Sequence, residues 1–136
     1  GTSAAIVSRV LRRSLDISYD HEDPEIPPIS FIDGIDLVTE GVLTLNRTLS
    51  LLKRYVKNET VSEEFFEELD RGNGGSMVAK MLIEECTKLH LYVGKAVNPA
   101  YQNPELPFDL GVRQNLVEQI RGTMEEMGKK VIVTYF

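Results

Sequence analysis

Tryptophan is absent, and cysteine occurs once, at Cys86. A single thiol excludes an intrachain disulfide and a cysteine-rich zinc site. No apolar run approaches the ~18 residues that a membrane span requires. Arg9, Arg12 and Arg13 interrupt the first apolar segment, so no signal peptide is read there. No basic run exceeds the pairs Arg12-Arg13 and Lys129-Lys130, and the net charge is -6. Nothing in such a chain neutralises phosphates in bulk, which argues against nucleic acid as a partner. No Gly-x-Ser-x-Gly or comparable nucleophile motif occurs. A soluble, cytoplasmic protein with no membrane contact is the expectation.

What remains is ordinary for a globular domain: 136 residues, of which 42% are apolar and 26% charged. That length is one domain, 1–136, with a sizeable core. The chain is organised around Ile35-Asp36-Leu37-Val38-Thr39-Glu40-Gly41 and the segment after it, where Val42, Leu45, Leu49, Leu52 and Val56 recur at steps of three and four. A change of period from a short apolar run to that stripe predicts a strand, a loop and a helix.

Upstream, Thr2 or Ser3 is read as the cap of a helix carrying Ile6, Val7, Val10 and Leu11. A helix opened by Gly-Thr-Ser normally follows a strand, so the chain reads as cut just inside its first βα turn. Leu15–Tyr19 alternates like an edge strand, Ile26-Pro27-Pro28-Ile29 must be extended, and Asp33-Gly34 is a turn.

Downstream, Ser62 caps a short helix, Arg71 to Gly75 reads as a flexible loop and Gly72 to Ser76 as a surface linker, and Ser76 caps a helix with Val78, Met81, Leu82 and Cys86. Leu89–Val93 is a strand, Lys95 to Asp109 a polar loop, and Leu116, Val117, Ile120, Met124 and Met127 stripe a last helix ended by Gly128. Val131 to Phe136 is a strand covered on both faces. This order predicts an α/β fold with a small parallel, Rossmann-like sheet, helices on both faces, and its first strand missing.

Three loops are then expected to meet at the carboxyl edge of the sheet: Gly1-Thr2-Ser3, Thr39-Glu40-Gly41, and Gly94-Lys95 with Asn98. Helix N-termini aimed there favour a phosphate or carboxylate. Lys95 adds a positive charge, Glu40 either accepts from a sugar hydroxyl or opposes an anion, and Asp36 shares a side with Glu40 if the strand is regular. Against this, Thr39 capping its own helix needs no ligand, and the two readings stand level. His21 beside Glu22 and Asp23 reads as a solvated acidic loop, His90 as an edge or core histidine, and Cys86 as packing.

Several stretches are familiar together. Gly1-Thr2-Ser3-Ala4-Ala5-Ile6-Val7-Ser8-Arg9, Ile26-Pro27-Pro28-Ile29, Gly34 to Gly41, Val93-Gly94, Ala96-Val97-Asn98-Pro99-Ala100 and Met127-Gly128-Lys129 follow in one order. That set resembles the C-terminal region of SpoIIE-type serine/threonine protein phosphatases of anaerobic bacteria. The resemblance implies that catalysis belongs to an N-terminal domain whose aspartates hold two Mg²⁺ or Mn²⁺ ions. Asp33-Gly34 lacks the companion aspartates, so no metal, cofactor or catalytic residue is carried over to this chain. The implied role is a non-catalytic accessory or regulatory domain that binds a small anionic ligand or packs on the phosphatase domain. Two alternatives stand beside it: an enzyme using Asp36, Glu40 and Lys95 on a phosphorylated or nucleotide substrate, and a homodimerising interaction module.

Overall fold

The computed structural model describes residues 2–18, 24–57, 62–94 and 110–136. Among them are helices α1 (Thr2–Leu11), α2 (Val42–Lys57), α3 (Glu63–Leu69), α4 (Gly74–Lys80) and α5 (Leu110–Glu126), and strands β1 (Leu15–Ile17), β2 (Ser30–Ile32), β3 (Lys88–Val93) and β4 (Lys130–Tyr135). The class is mixed α/β, as the periodicity predicts. Among the described residues each sheet has two strands: β1 with β2, antiparallel, and β3 with β4, parallel.

Helix α2 follows from its stripe and its ends. Gly41 precedes it at φ 93°, a conformation that suits glycine, and Arg54 and Lys57 occupy the last turn, at the negative end of the dipole. Helix α5 stops as Gly128 requires. Gly128 N–H donates to the Glu125 carbonyl at 2.9 Å and Lys129 N–H to that of Met124 at 3.1 Å. With Gly128 at φ 78° this is a Schellman ending.

Leu49 and Leu52 of α2 meet Leu116, Ile120 and Met124 of α5 in the main core, with Leu89 and Val131 of the parallel pair packed against it. A second cluster joins Leu51, Phe65, Leu69 and Ala79. It ties α3 and α4 to the far side of α2. Ser62 caps α3 as expected, accepting from Phe65 N–H at 3.4 Å.

Five expectations are corrected. The β3–β4 pair is not covered on both faces: Leu89 and Val131 face the core, while Tyr92 and Phe136 stay exposed on the other side. Ile35–Thr39 is not a central strand: only Val38 pairs, through one antiparallel bridge to Ser30. The cause is the Asp33-Gly34 turn, closed by Ile35 N–H on the Ile32 carbonyl at 3.0 Å. A reversal that tight returns the chain antiparallel to β2, because parallel neighbours need a long crossover. Thr2 and Ser3 fall inside α1, so neither is its cap. The cap of α4 is Asn73, whose Oδ1 accepts from Ser76 N–H at 2.9 Å. Finally, α4 does not run on as α-helix through Cys86, because Met81–Glu85 widens into a π-helical turn. Lys129 Nζ donates there to the Ile83 carbonyl at 3.0 Å and also to that of Cys86. A side-chain ammonium thus satisfies carbonyls that a helix end leaves open. His21, the 95–109 loop and its Asp109 cap lie outside the described residues.

Candidate functional site

The turn Thr39-Glu40-Gly41 does not leave a strand of the parallel sheet. It sits against the start of α4, because small residues let the two helices approach. A Cβ on Gly74 would lie 2.7 Å from Thr39 Cγ2. One on Gly75 would lie 2.6 Å from Arg47 Cγ and 3.1 Å from the Thr44 carbonyl. A larger residue would displace Thr39 at the first position and Arg47 of α2 at the second. The segment expected to be a surface linker is therefore the inner wall of a seam, with Asn73, Gly74, Gly75 and Ser76 all buried.

Polar groups hold that seam. Thr44 Oγ1 donates to the Glu40 carbonyl at 2.7 Å, tying the turn to the first turn of α2. The Thr48 hydroxyl reaches the Thr44 carbonyl at 3.1 Å and the Gly75 carbonyl at 2.9 Å. It has one proton, so the two carbonyls share it. Arg47 lies along the seam, its Nη2 3.9 Å from Glu25 Oε2. Two atoms are left over: Asn73 Nδ2 and Ser76 Oγ are buried with no hydrogen-bond partner among the described residues. A buried donor without a partner costs about 1–3 kcal/mol. Such atoms call for a water or a ligand atom.

The residues expected to form one crevice are anchored on different elements. Thr39, Glu40 and Gly41 belong to the seam. Ser3 is on the exposed first turn of α1, a helix that packs on β1. Asp36 is exposed beyond the Asp33-Gly34 turn. Gly94 ends β3, and its carbonyl accepts from Arg113 Nη1 of α5 at 2.7 Å. The side chain of Thr2, and all of Gly1, Lys95 and Asn98, lie outside the described residues.

Sequence reasoning missed Asn73, Ser76 and Thr48. A usable signal was present: Thr44 and Thr48, four apart, give α2 a small polar stripe beside its leucines, and a glycine pair further on is what such a stripe packs against.

Elsewhere among the described residues the titratable groups form no catalytic constellation. His90 Nε2 lies 3.0 Å from Thr134 Oγ1 and its ring stacks on Tyr92, on an exposed strand face where no third group among the described residues orients it. Lys80 is raised above the ordinary lysine value, first by its hydrogen bond to Asp70 and then by the charge of that carboxylate. Arg121 is raised likewise by its bond to Glu118. Both are exposed surface pairs. Among the described residues no group of three or more His, Cys, Asp or Glu could hold a metal ion. No helix there is long and apolar enough to cross a membrane.

Fold and seam together define a mixed α/β domain built on a polar, glycine-dependent helix contact. Comparison of the chain with protein-family models, with curated proteins and with solved structures gives no match.

Proposed function

We propose that the chain is a non-catalytic accessory domain of a SpoIIE-type metal-dependent protein phosphatase, working in the cytoplasm. It binds a small anionic or polar ligand at the Thr39–Gly41 turn, or packs on the phosphatase domain, and so regulates that activity. In this reading β3, α5 and β4 are one parallel unit of a larger Rossmann-like sheet.

The observation that carries the ligand half is the pair of buried, unpartnered atoms, Asn73 Nδ2 and Ser76 Oγ, in the seam where Thr39 touches Gly74. The amino end of α2 lies in the same place, with no acidic residue in its first turn. A partial positive charge there suits an anion. The resemblance of Gly34–Gly41 and Asn98–Ala100 to the phosphatase C-terminal region supports the accessory role.

A thermal-shift screen against nucleotides, sugar phosphates, inorganic phosphate and divalent metals tests the ligand half. A ligand at a hundred times its Kd adds about 2.7 kcal/mol of stability, which is a shift of several degrees. The expected result is a shift with one phosphate class that Asn73→Ala and Ser76→Ala each diminish. A flat screen removes the ligand half. Failure of the domain to alter the activity of a SpoIIE-type phosphatase domain, joined to it or added to it, removes the rest.

A further inference from the structure

The core lies on one side of the β3–β4 pair. Leu89 and Val131 point into it, and the period of two puts Lys88, His90 and Tyr92 with Lys130, Ile132 and Thr134 on the opposite face. That face is aromatic. His90 and Tyr92 stack at 4.0 Å, and Tyr92 and Phe136 at 6.0 Å. Tyr92 is 66% exposed and Phe136 70%. It is also basic at one end, where the exposed Lys88 and Lys130 stand side by side in register. Like charges directly opposite on a sheet are destabilising, so this pair favours an anionic neighbour.

Helix α3 carries a surface of complementary make. Helix α3 buries Phe65 and Leu69 but exposes Phe66. Glu63 lies three residues before Phe66 and four before Glu67, so the two exposed carboxylates and the ring share one side of the helix. Two glutamates at that spacing also repel each other. Each patch thus holds an exposed ring beside a like-charge pair that the other patch relieves. The apolar surface of α1, Ile6, Val7, Val10 and Leu11, is flanked by Arg9, Arg12 and Arg13. It matches the lysines in sign and is excluded as their partner.

We propose that the aromatic, basic face of β3–β4 docks the acidic, Phe66-bearing face of α3 from a second copy of this chain. The contact is independent of any ligand in the Asn73–Ser76 seam. The net charge of -6 opposes indiscriminate association. The contact is therefore confined to the face where the sign reverses, and it weakens with salt because its charges are exposed.

Sedimentation velocity from micromolar to near-millimolar protein, at low and high salt, tests this. The wild type is expected to self-associate at low salt and to dissociate as salt rises. Lys88→Glu with Lys130→Glu weakens association by about tenfold or more, and so does Glu63→Lys with Glu67→Lys, because each brings like charges together. Mixing these two variants restores a complex that neither forms alone. Tyr92→Ser, which changes no charge, weakens the wild-type contact as well. A wild type that is monomeric throughout overturns the proposal. So does association that none of the variants weakens, or a mixture of folded charge variants, checked by circular dichroism, that stays dissociated.

Discussion

Helix α2 presents two different chemistries. Toward α5 it offers Leu49 and Leu52, which close on Leu116, Ile120 and Met124. Toward the start of α4 it offers Thr44 and Thr48, which close on Gly74 and Gly75. The leucine side derives its stability from apolar area removed from water, a contribution that depends little on direction. At the start of α4 the approach on the threonine side is set by hydrogen bonds and by the lack of Cβ atoms, and the apolar contact between these helices, Leu51 with Ala79, lies further along. A leucine core tolerates repacking, whereas a seam of glycine and hydroxyl accepts one register.

Substitutions test that contrast. The largest effect belongs to the apolar side. Leu52→Ala, at a residue with no exposed surface, should cost about 2–5 kcal/mol in urea unfolding. A smaller loss would mean that α5 moves to fill the space. Gly75→Ala should come next, at about 1–3 kcal/mol, because its Cβ would meet Arg47 Cγ at 2.6 Å. The better helix propensity of alanine recovers only about 1 kcal/mol of that. If Gly75→Ala proved neutral, the seam would be far looser than described.

Thr48→Val keeps the shape and removes the shared proton, leaving the buried Gly75 carbonyl short of a donor. A loss of about 1–3 kcal/mol is expected, with the denaturant slope unchanged if the fold is intact. Gly122→Ala on α5 should have the opposite sign. Nothing lies within 4 Å of its added Cβ, so propensity alone decides and a gain of about 1 kcal/mol is expected. Measured together, the two glycine substitutions separate close approach from backbone freedom.

The smallest effect is electrostatic. Lys80 is raised by its bond to Asp70, so the contribution of that pair is complete below the ordinary lysine value. It is lost as pH rises through the raised one. Titration of Lys80 by NMR should show its pKa fall toward the ordinary value in Asp70→Asn, with little change in stability at neutral pH, as expected for an exposed pair.

Much of the fold was legible because its signals are local. The stripe of α2, the stripe of α5 with its glycine stop, the cap at Ser62 and the apolar run of β4 are all set by neighbours within a turn or two. Val38 was misread because an apolar run of that length suits a central strand and a bridging edge equally well. What separates the two is the Asp33-Gly34 turn, which decides direction, and the chain on either side of it. The candidate site was half legible. Thr39, Glu40 and Gly41 announced themselves by the change of period. Asn73 and Ser76 did not, because a run rich in glycine, asparagine and serine reads as a linker until something packs on it.

The amino-acid sequence alone determined the α/β class, the extents of the two long helices and the glycine at which α5 stops, since these follow from periodicity and backbone sterics along the chain. Tertiary structure decided the burial of Asn73–Ser76, the antiparallel return of Val38 and the bare aromatic face of β3–β4. Burial and pairing are properties of contacts, and the contact that closes the seam, from Thr48 to Gly75, spans 27 residues. No local pattern encodes which glycine a threonine that distant will meet.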